Sequence, residues 1–433
     1  MSTTSIGLIG IVVLVALFII RMPIAFAMAA VGFVGFSLVT SFKTGLAVLP
    51  RDIFEQLTSY SISAIPMFIL MGYYAFSAGL GTRLYDAAYK ILGHVRGGLA
   101  IASIFACAAF GAICGSATAT AATMGKLAIP AMKKYGYDDT LSTGVIASAG
   151  TLGILIPPSV IFLIYGFMTE QSVGKLFISG IVPGIVLAIC MSMAVYLMCL
   201  KNPGLGPKGE KSSFKVKFKA AVAVLDVLGL FVVVIGGLLL GFFTPTQAGG
   251  VGAAGAVLVG LLRRELTWKA FIHNTLEAVR TSVMILTIIA CATVFGKFMT
   301  VARIPFVVSD WVASLSVPHF VTMGVIIGIY LLGGCFIDAI PLIILTIPIL
   351  FPIVLSLGYD PIWFGVIIVL VTCMGVITPP VGVNVYVIKG IAREVPLETI
   401  FKGIFPFLLA IIVTAVILMF FPMLATLLPS LVE

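Results

Sequence analysis

The chain has 433 residues, 61% of them hydrophobic and only 9% charged, with a net charge of +9. A soluble globule keeps roughly a quarter of its residues charged, so this chain must be solvated by lipid. Its apolar runs are continuous rather than alternating, which excludes an outer-membrane barrel and predicts an all-α polytopic membrane protein. In chain order, apolar runs set against their breakers predict ten spans, at about 5–20, 23–41, 61–78, 139–169, 173–200, 220–243, 246–262, 281–300, 361–391 and 403–430. The first run, Ile6 to Ile20, has no basic residue ahead of it and no small-residue cleavage site behind it, so it reads as a retained span. Two further stretches, about 97–132 and 319–356, are too long for one ordinary span and carry glycines at their middle. Each could be two full spans; a re-entrant helical hairpin is the preferred reading. Mixed, basic segments around 81–96 and 265–280 read as amphipathic arms on the cytoplasmic surface, and Lys201–Lys219 as a plain cytoplasmic loop.

One stretch of sequence occurs twice, 222 residues apart. Gly111, Pro130, Gly136, Tyr137, Asp138, Gly153, Pro157 and Pro158 return as Gly333, Pro352, Gly358, Tyr359, Asp360, Gly375, Pro379 and Pro380. Paired, interrupted segments at corresponding places in two halves point to the midplane site of a secondary transporter. With both long stretches as hairpins, nineteen Lys and Arg fall on one side of the membrane. Four (Lys43, Arg51, Lys175 and Arg303) fall on the other, and Lys126 and Lys297 lie within apolar stretches. Positive charge collects on the cytoplasmic side, so both termini are predicted to be periplasmic. Five spans separate the hairpins, an odd number, so the two copies should form an inverted repeat. The predicted blocks are scaffold at 1–60, a first repeat core at 61–169, scaffold with loop and arm at 170–280, a second core at 281–391, and a last scaffold span at 392–433.

Proline has no amide hydrogen, so the carbonyl four residues earlier loses its helical partner. Pro157 and Pro158 free Gly153 and Ile154; Pro379 and Pro380 free Gly375 and Val376. Bare carbonyls in lipid cost several kcal/mol, so these should face a protein-lined cavity, water or a cation, and sodium is a hard ion suited to oxygen. A simple proline kink is the plainer alternative. The first hairpin tip adds the hydroxyls of Ser116, Thr118 and Thr120, which could instead serve helix packing. The second adds Asp338, the only carboxylate deep in that hairpin and a candidate cation ligand, or else a helix cap. Arg303 could hold a substrate carboxylate bidentately or snorkel to the outer interface. Asn384, past the second break, is a weaker substrate candidate, and Lys126 and Lys297 weaker still. The seven cysteines read as small membrane-embedded hydrophobes. His94, His273 and His319 have no metal-ligand spacing, and no phosphate-binding loop occurs, so neither an intramembrane enzyme nor an ATP-driven pump is indicated.

At these residues the chain resembles the large membrane subunit of tripartite ATP-independent periplasmic (TRAP) transporters. The resemblance is carried by Gly115-Ser-Ala-Thr-Ala-Thr-Ala-Ala-Thr123, Gly153-Ile-Leu-Ile-Pro-Pro-Ser159, the Gly333–Pro348 tip and Val376-Ile-Thr-Pro-Pro-Val-Gly382, and it covers essentially the whole chain. It implies sodium-driven uptake of a carboxylated solute across a bacterial inner membrane, with no organic cofactor. A soluble periplasmic binding protein would deliver the solute, and a separate small four-helix membrane subunit would pack against this one. It also implies an elevator motion of the two repeat cores against a scaffold. The implied sodium sites are Ser116 and Thr118 with the Gly153–Pro157 break, and Asp338 with the Gly375–Thr378 break; Arg303 matches a position near the substrate site. A self-sufficient sodium-coupled di- or tricarboxylate or anion carrier, with the same hairpins but no binding protein, stays open on composition alone.

Overall fold

The computed structural model describes residues 2–20, 22–209, 211, 213–314 and 318–431. Arg21, one of the nineteen basic residues of the charge bias, lies outside them. The described residues that enter regular structure are helical. Seven helices are long and apolar enough to cross a membrane, and 214–222 with 225–239, bent by 42°, make an eighth.

The repeated Gly-Tyr-Asp explains itself locally. After the helix Ala117–Lys134, Gly136 turns the chain with φ +74°, and the Asp138 carboxylate accepts from the Thr140 N–H at 2.8 Å to start Asp139–Ala149. After Ala339–Ser356, Gly358 turns it with φ +77°, and Asp360 accepts from the Trp363 N–H at 2.8 Å to start Pro361–Gly375. Glycine stop and aspartate cap are complementary helix-end signals, and here they set the same corner twice.

Both long stretches fold as helix pairs packed across a short turn, Gly98–Cys114 with Ala117–Lys134 and His319–Gly334 with Ala339–Ser356. Both diproline positions interrupt their helices: 139–155 gives way to Val160–Thr169, and Pro361–Gly375 to Val383–Ile391. Helix meets helix at glycine in each copy. A Cβ on Gly111 would stand 2.5 Å from the Gly153 Cα, and one on Gly334 would stand 3.0 Å from the Gly375 Cα.

Several boundaries move. Trp268–Val301 is one uninterrupted helix of 34 residues, so the arm expected at 265–280 is its first third. It contains no proline and a single glycine, Gly296, and nothing stops it at the polar-to-apolar boundary. The counterpart of the arm Leu80–Leu92 is instead Ile304–Ser314, almost 222 residues on: the first packs on hairpin one, the second on hairpin two. Phe42–Thr58, expected as a connection, is a helix capped by Ser41 and packed on Trp268–Val301. The last span ends at Phe420, and Met423–Ser430 is a separate helix beyond Pro422.

Packing cuts across the predicted blocks. Val173–Lys201 and Leu397–Phe420, expected in the scaffold, pack on the hairpins and broken helices. Conversely, 60–77 and 268–301 pack chiefly on Ile24–Val39, Pro245–Leu262 and each other, a second packed group, the scaffold. The Lys201–Lys219 loop is more than a charged connection. Leu205, Gly206 and Pro207 accept hydrogen bonds from Asp138, Gly97 and Tyr137 at 3.1, 3.0 and 2.9 Å, stitching it to the base of hairpin one.

Candidate functional site

The two hairpin tips meet. Gly115, Ser116, Ala117 and Thr118 share one small cavity of about 40 Å³ with Asp338, Ala339 and Ile340, closed by Ile154 and Val376 from the two breaks. Two sites predicted separately thus adjoin. In the first tip, Gly115 turns the chain with φ +65°. Ser116 caps the returning helix, accepting from the Ala119 N–H at 3.4 Å, and its Oγ lies 3.2 Å from the Thr118 Oγ1. Thr120 is fully buried beside the Cys114 thiol, and its Oγ1 stands 2.6 Å from where a Gly153 Cβ would be.

Asp338 opens Ala339–Ser356 without using its side chain as a cap, unlike Asp138 and Asp360. Its carboxylate accepts instead from the N–H of its neighbour Ala339. Its side chain opens onto the space at the tip, where Leu332 and Phe336 are also exposed.

The breaks correct the expectation of bare carbonyls. Ser159 Oγ donates to the Ile154 carbonyl at 2.6 Å. The Gly375 carbonyl accepts from the Thr378 N–H at 3.1 Å, and that of Val376 from the Asn384 N–H at 3.0 Å. Among the described residues no donor reaches the fourth, that of Gly153. A donor supplied from within the break relieves most of the cost of interrupting a helix in a dry core. Pro157 is buried and Pro379 exposed, and Thr378 Oγ1 donates back to the Met374 carbonyl at 2.6 Å.

Asn384 and Arg303 are not brought to the tips. Asn384 is fully buried, and its Nδ2 donates to the Ala147 carbonyl at 3.0 Å, tying one broken helix to the other. Nearby, the Cys373 Sγ lies 3.6 Å from the Thr151 carbonyl, two residues 222 positions apart. Arg303 is exposed, has φ +59° and precedes the arm helix Ile304–Ser314. Lys297 pairs with Asp52 at 3.0 Å in a separate cavity, and Lys126 is exposed on hairpin one.

Beside Ser116 lies a larger cavity of about 260 Å³, between hairpin one and the scaffold. Its scaffold wall includes Tyr73 and Thr281, which sequence reasoning missed. A lone hydroxyl in an apolar helix carries no spacing signal. The seven cysteines are free, and five of them are buried.

A family model, the DctM component of the tripartite ATP-independent periplasmic transporters, matches residues 11–424. The C4-dicarboxylate TRAP transporter large permease protein DctM of Pseudomonas aeruginosa is 36% identical over 88% of this chain and 89% of its own length. The sialic acid large permease SiaM of Vibrio cholerae is 31% identical over 95% of each. Among solved structures, the Alcanivorax borkumensis YdaH transporter shares the fold with a TM-score of 0.60 at 13% identity, covering 89% of this chain and 88% of that one. Hairpins, breaks and matches agree that this chain is an integral membrane protein belonging to the family of TRAP transporter large permeases, secondary transporters rather than enzymes.

Proposed function

We propose that this protein drives sodium-coupled uptake of a carboxylated solute handed to it by a periplasmic binding protein. The observation that carries this reading is the shared tip cavity, which joins the Asp338 carboxylate, two hydroxyls and residues of both breaks. Such a set of hard oxygens suits a small hard cation. The buried Thr120 hydroxyl and the open Gly153 carbonyl add two more oxygens on the hairpin-one side. Half-helix N-termini at both tips favour the anionic end of a solute.

In this reading the two copies are inverted about an in-plane axis that passes near Thr151 and Cys373, since only residues close to such an axis can touch their own repeat mates. The core formed by hairpins, broken helices and their two flanking helices then travels as one elevator body against the scaffold. Both termini lie in the periplasm, and a small four-helix subunit completes the membrane assembly. Uptake into vesicles containing both membrane subunits tests the proposal. Solute should enter only with an inward sodium gradient and the cognate binding protein present. Uptake indifferent to sodium would overturn the coupling, and uptake without the binding protein would favour a self-sufficient carrier.

A further inference from the structure

The cavity beside Ser116 has two unlike walls. Hairpin one contributes Ser116 and Thr123, the scaffold contributes Tyr73 and Thr281, and most of the remaining lining is apolar. None of its lining residues is Lys or Arg. Its volume lies just under the roughly 300–1,000 Å³ of sites that hold drug-sized ligands, so it suits a small solute. Among the side chains lining this space a carboxylate would find hydroxyls and the Cys114 thiol but no cationic group.

The hydroxyls on the scaffold wall have a definite arrangement. Tyr73 Oη and Thr281 Oγ1 are 3.0 Å apart, and the Thr281 hydroxyl donates to the Glu277 carbonyl at 2.9 Å. A threonine has one hydroxyl hydrogen, so Tyr73 is the donor in this pair. One residue on, Tyr74 makes the same contact with Thr275 at 2.8 Å, and Thr275 donates to the Phe271 carbonyl at 2.8 Å. Tyr74 is buried, and neither Tyr74 nor Thr275 lines the cavity. The two stitches hold the same helices together, but only one of them faces the passage.

We propose that Tyr73 is a cargo-selecting residue: its hydroxyl rests on Thr281 when the passage is empty and turns to donate to the solute's carboxylate as it leaves hairpin one. Thr281 keeps its own bond to Glu277 throughout, so the exchange strands no donor. This rests on the carboxylate-uptake reading above.

The test uses the assembled transporter in vesicles with three labelled probes, a C4-dicarboxylate, sialic acid and 2,3-diketo-L-gulonate, each with its binding protein. For whichever probe the wild type accumulates, Tyr73→Phe should raise the apparent KM for solute about fivefold or more, with half-saturating sodium unchanged. Thr281→Val removes the resting partner and leaves the tyrosine free, so it should not raise KM. Tyr74→Phe and Thr275→Val, which disturb only the buried stitch, should match the wild type in KM. If Tyr73→Phe equals the wild type, or if Tyr73→Phe and Thr281→Val shift KM alike, Tyr73 is a helix stitch and the inference is wrong. A wild type that accumulates no probe under a sodium gradient overturns the carboxylate-uptake reading itself, and this inference with it.

Discussion

The two copies of the repeat share a backbone plan and differ in what surrounds it. In hairpin one, fourteen residues of Gly98–Cys114 are buried, the diproline is buried, and the arm Leu80–Leu92 is clamped. Arg83 in that arm, only 14% exposed, reaches Asp226 at 2.5 Å and Glu265 at 2.8 Å, and Arg263 also meets Asp226. In hairpin two, four residues of His319–Gly334 are buried and Pro379 and Pro380 are exposed. Its arm is linked to it by a Ser309–Ser356 hydrogen bond at 3.0 Å. Residues that shape the backbone recur at the 222-residue offset because both copies must turn, cap and break alike. Residues that bury surface do not recur, because one copy meets helices where the other meets an open face. The same device is fixed in one half and accessible in the other.

Pairwise substitutions across the copies can break or sharpen that contrast. The largest effect is expected at the tips: Asp338→Asn should lower sodium-driven uptake at least about tenfold, since a charged ligand is worth more than a neutral one, while Ser116→Ala costs less. Sodium titration of uptake compares the two, and an Asp338→Asn protein with unchanged sodium activation removes the carboxylate from the site. Next come the arms. Arg83→Ala leaves Asp226 facing only the half-exposed Arg263 and should destabilise by about 1.5–3 kcal/mol, the range for hydrogen bonds to charged groups, since the pair is part-buried and Asp226 keeps one partner. Ser309→Ala, at an exposed contact, should shift thermal unfolding in detergent very little. At the glycine crossings an added methyl overpacks, costing about 1–3 kcal/mol. Gly111→Ala, 2.5 Å from backbone, should sit above Gly334→Ala at 3.0 Å, and equal melting shifts would erase the distinction. The smallest effect is expected for Lys133→Ala. Lys133 pairs with Glu394 at 3.0 Å with both side chains more than half exposed. The Glu394 carboxyl is held below its usual range first by its own backbone N–H and then by Lys133. Exposed pairs contribute little, so melting should be unchanged.

Much of this was legible in the sequence, and the gaps have physical causes. Glycine, proline and aspartate act through the backbone, so Gly136, Asp138, Gly153 and their mates announced the corners and breaks directly. Partners are a matter of tertiary packing. The repeat could not say that Ser159 answers the Ile154 carbonyl, or that Asn384 turns inward to Ala147 rather than toward a substrate. Amphipathicity misled at 265–280, where a polar first third and an apolar remainder form one helix because nothing breaks it. Which helices pack together was out of reach for the same reason, since apolar helices look alike until their neighbours are known.

The uninterrupted helix Trp268–Val301 has one more implication. At 1.5 Å per residue its 34 residues reach ~51 Å, against a hydrocarbon thickness of about 30 Å. Even a 40° lean, the upper end for such helices, accounts for only ~39 Å of depth. At least two turns must therefore project into the headgroups, where Trp268, 75% exposed, is suited to float. A rigid mast of fixed length makes membrane thickness a control variable, and turnover in lipids of graded acyl length should pass through an optimum rather than stay flat.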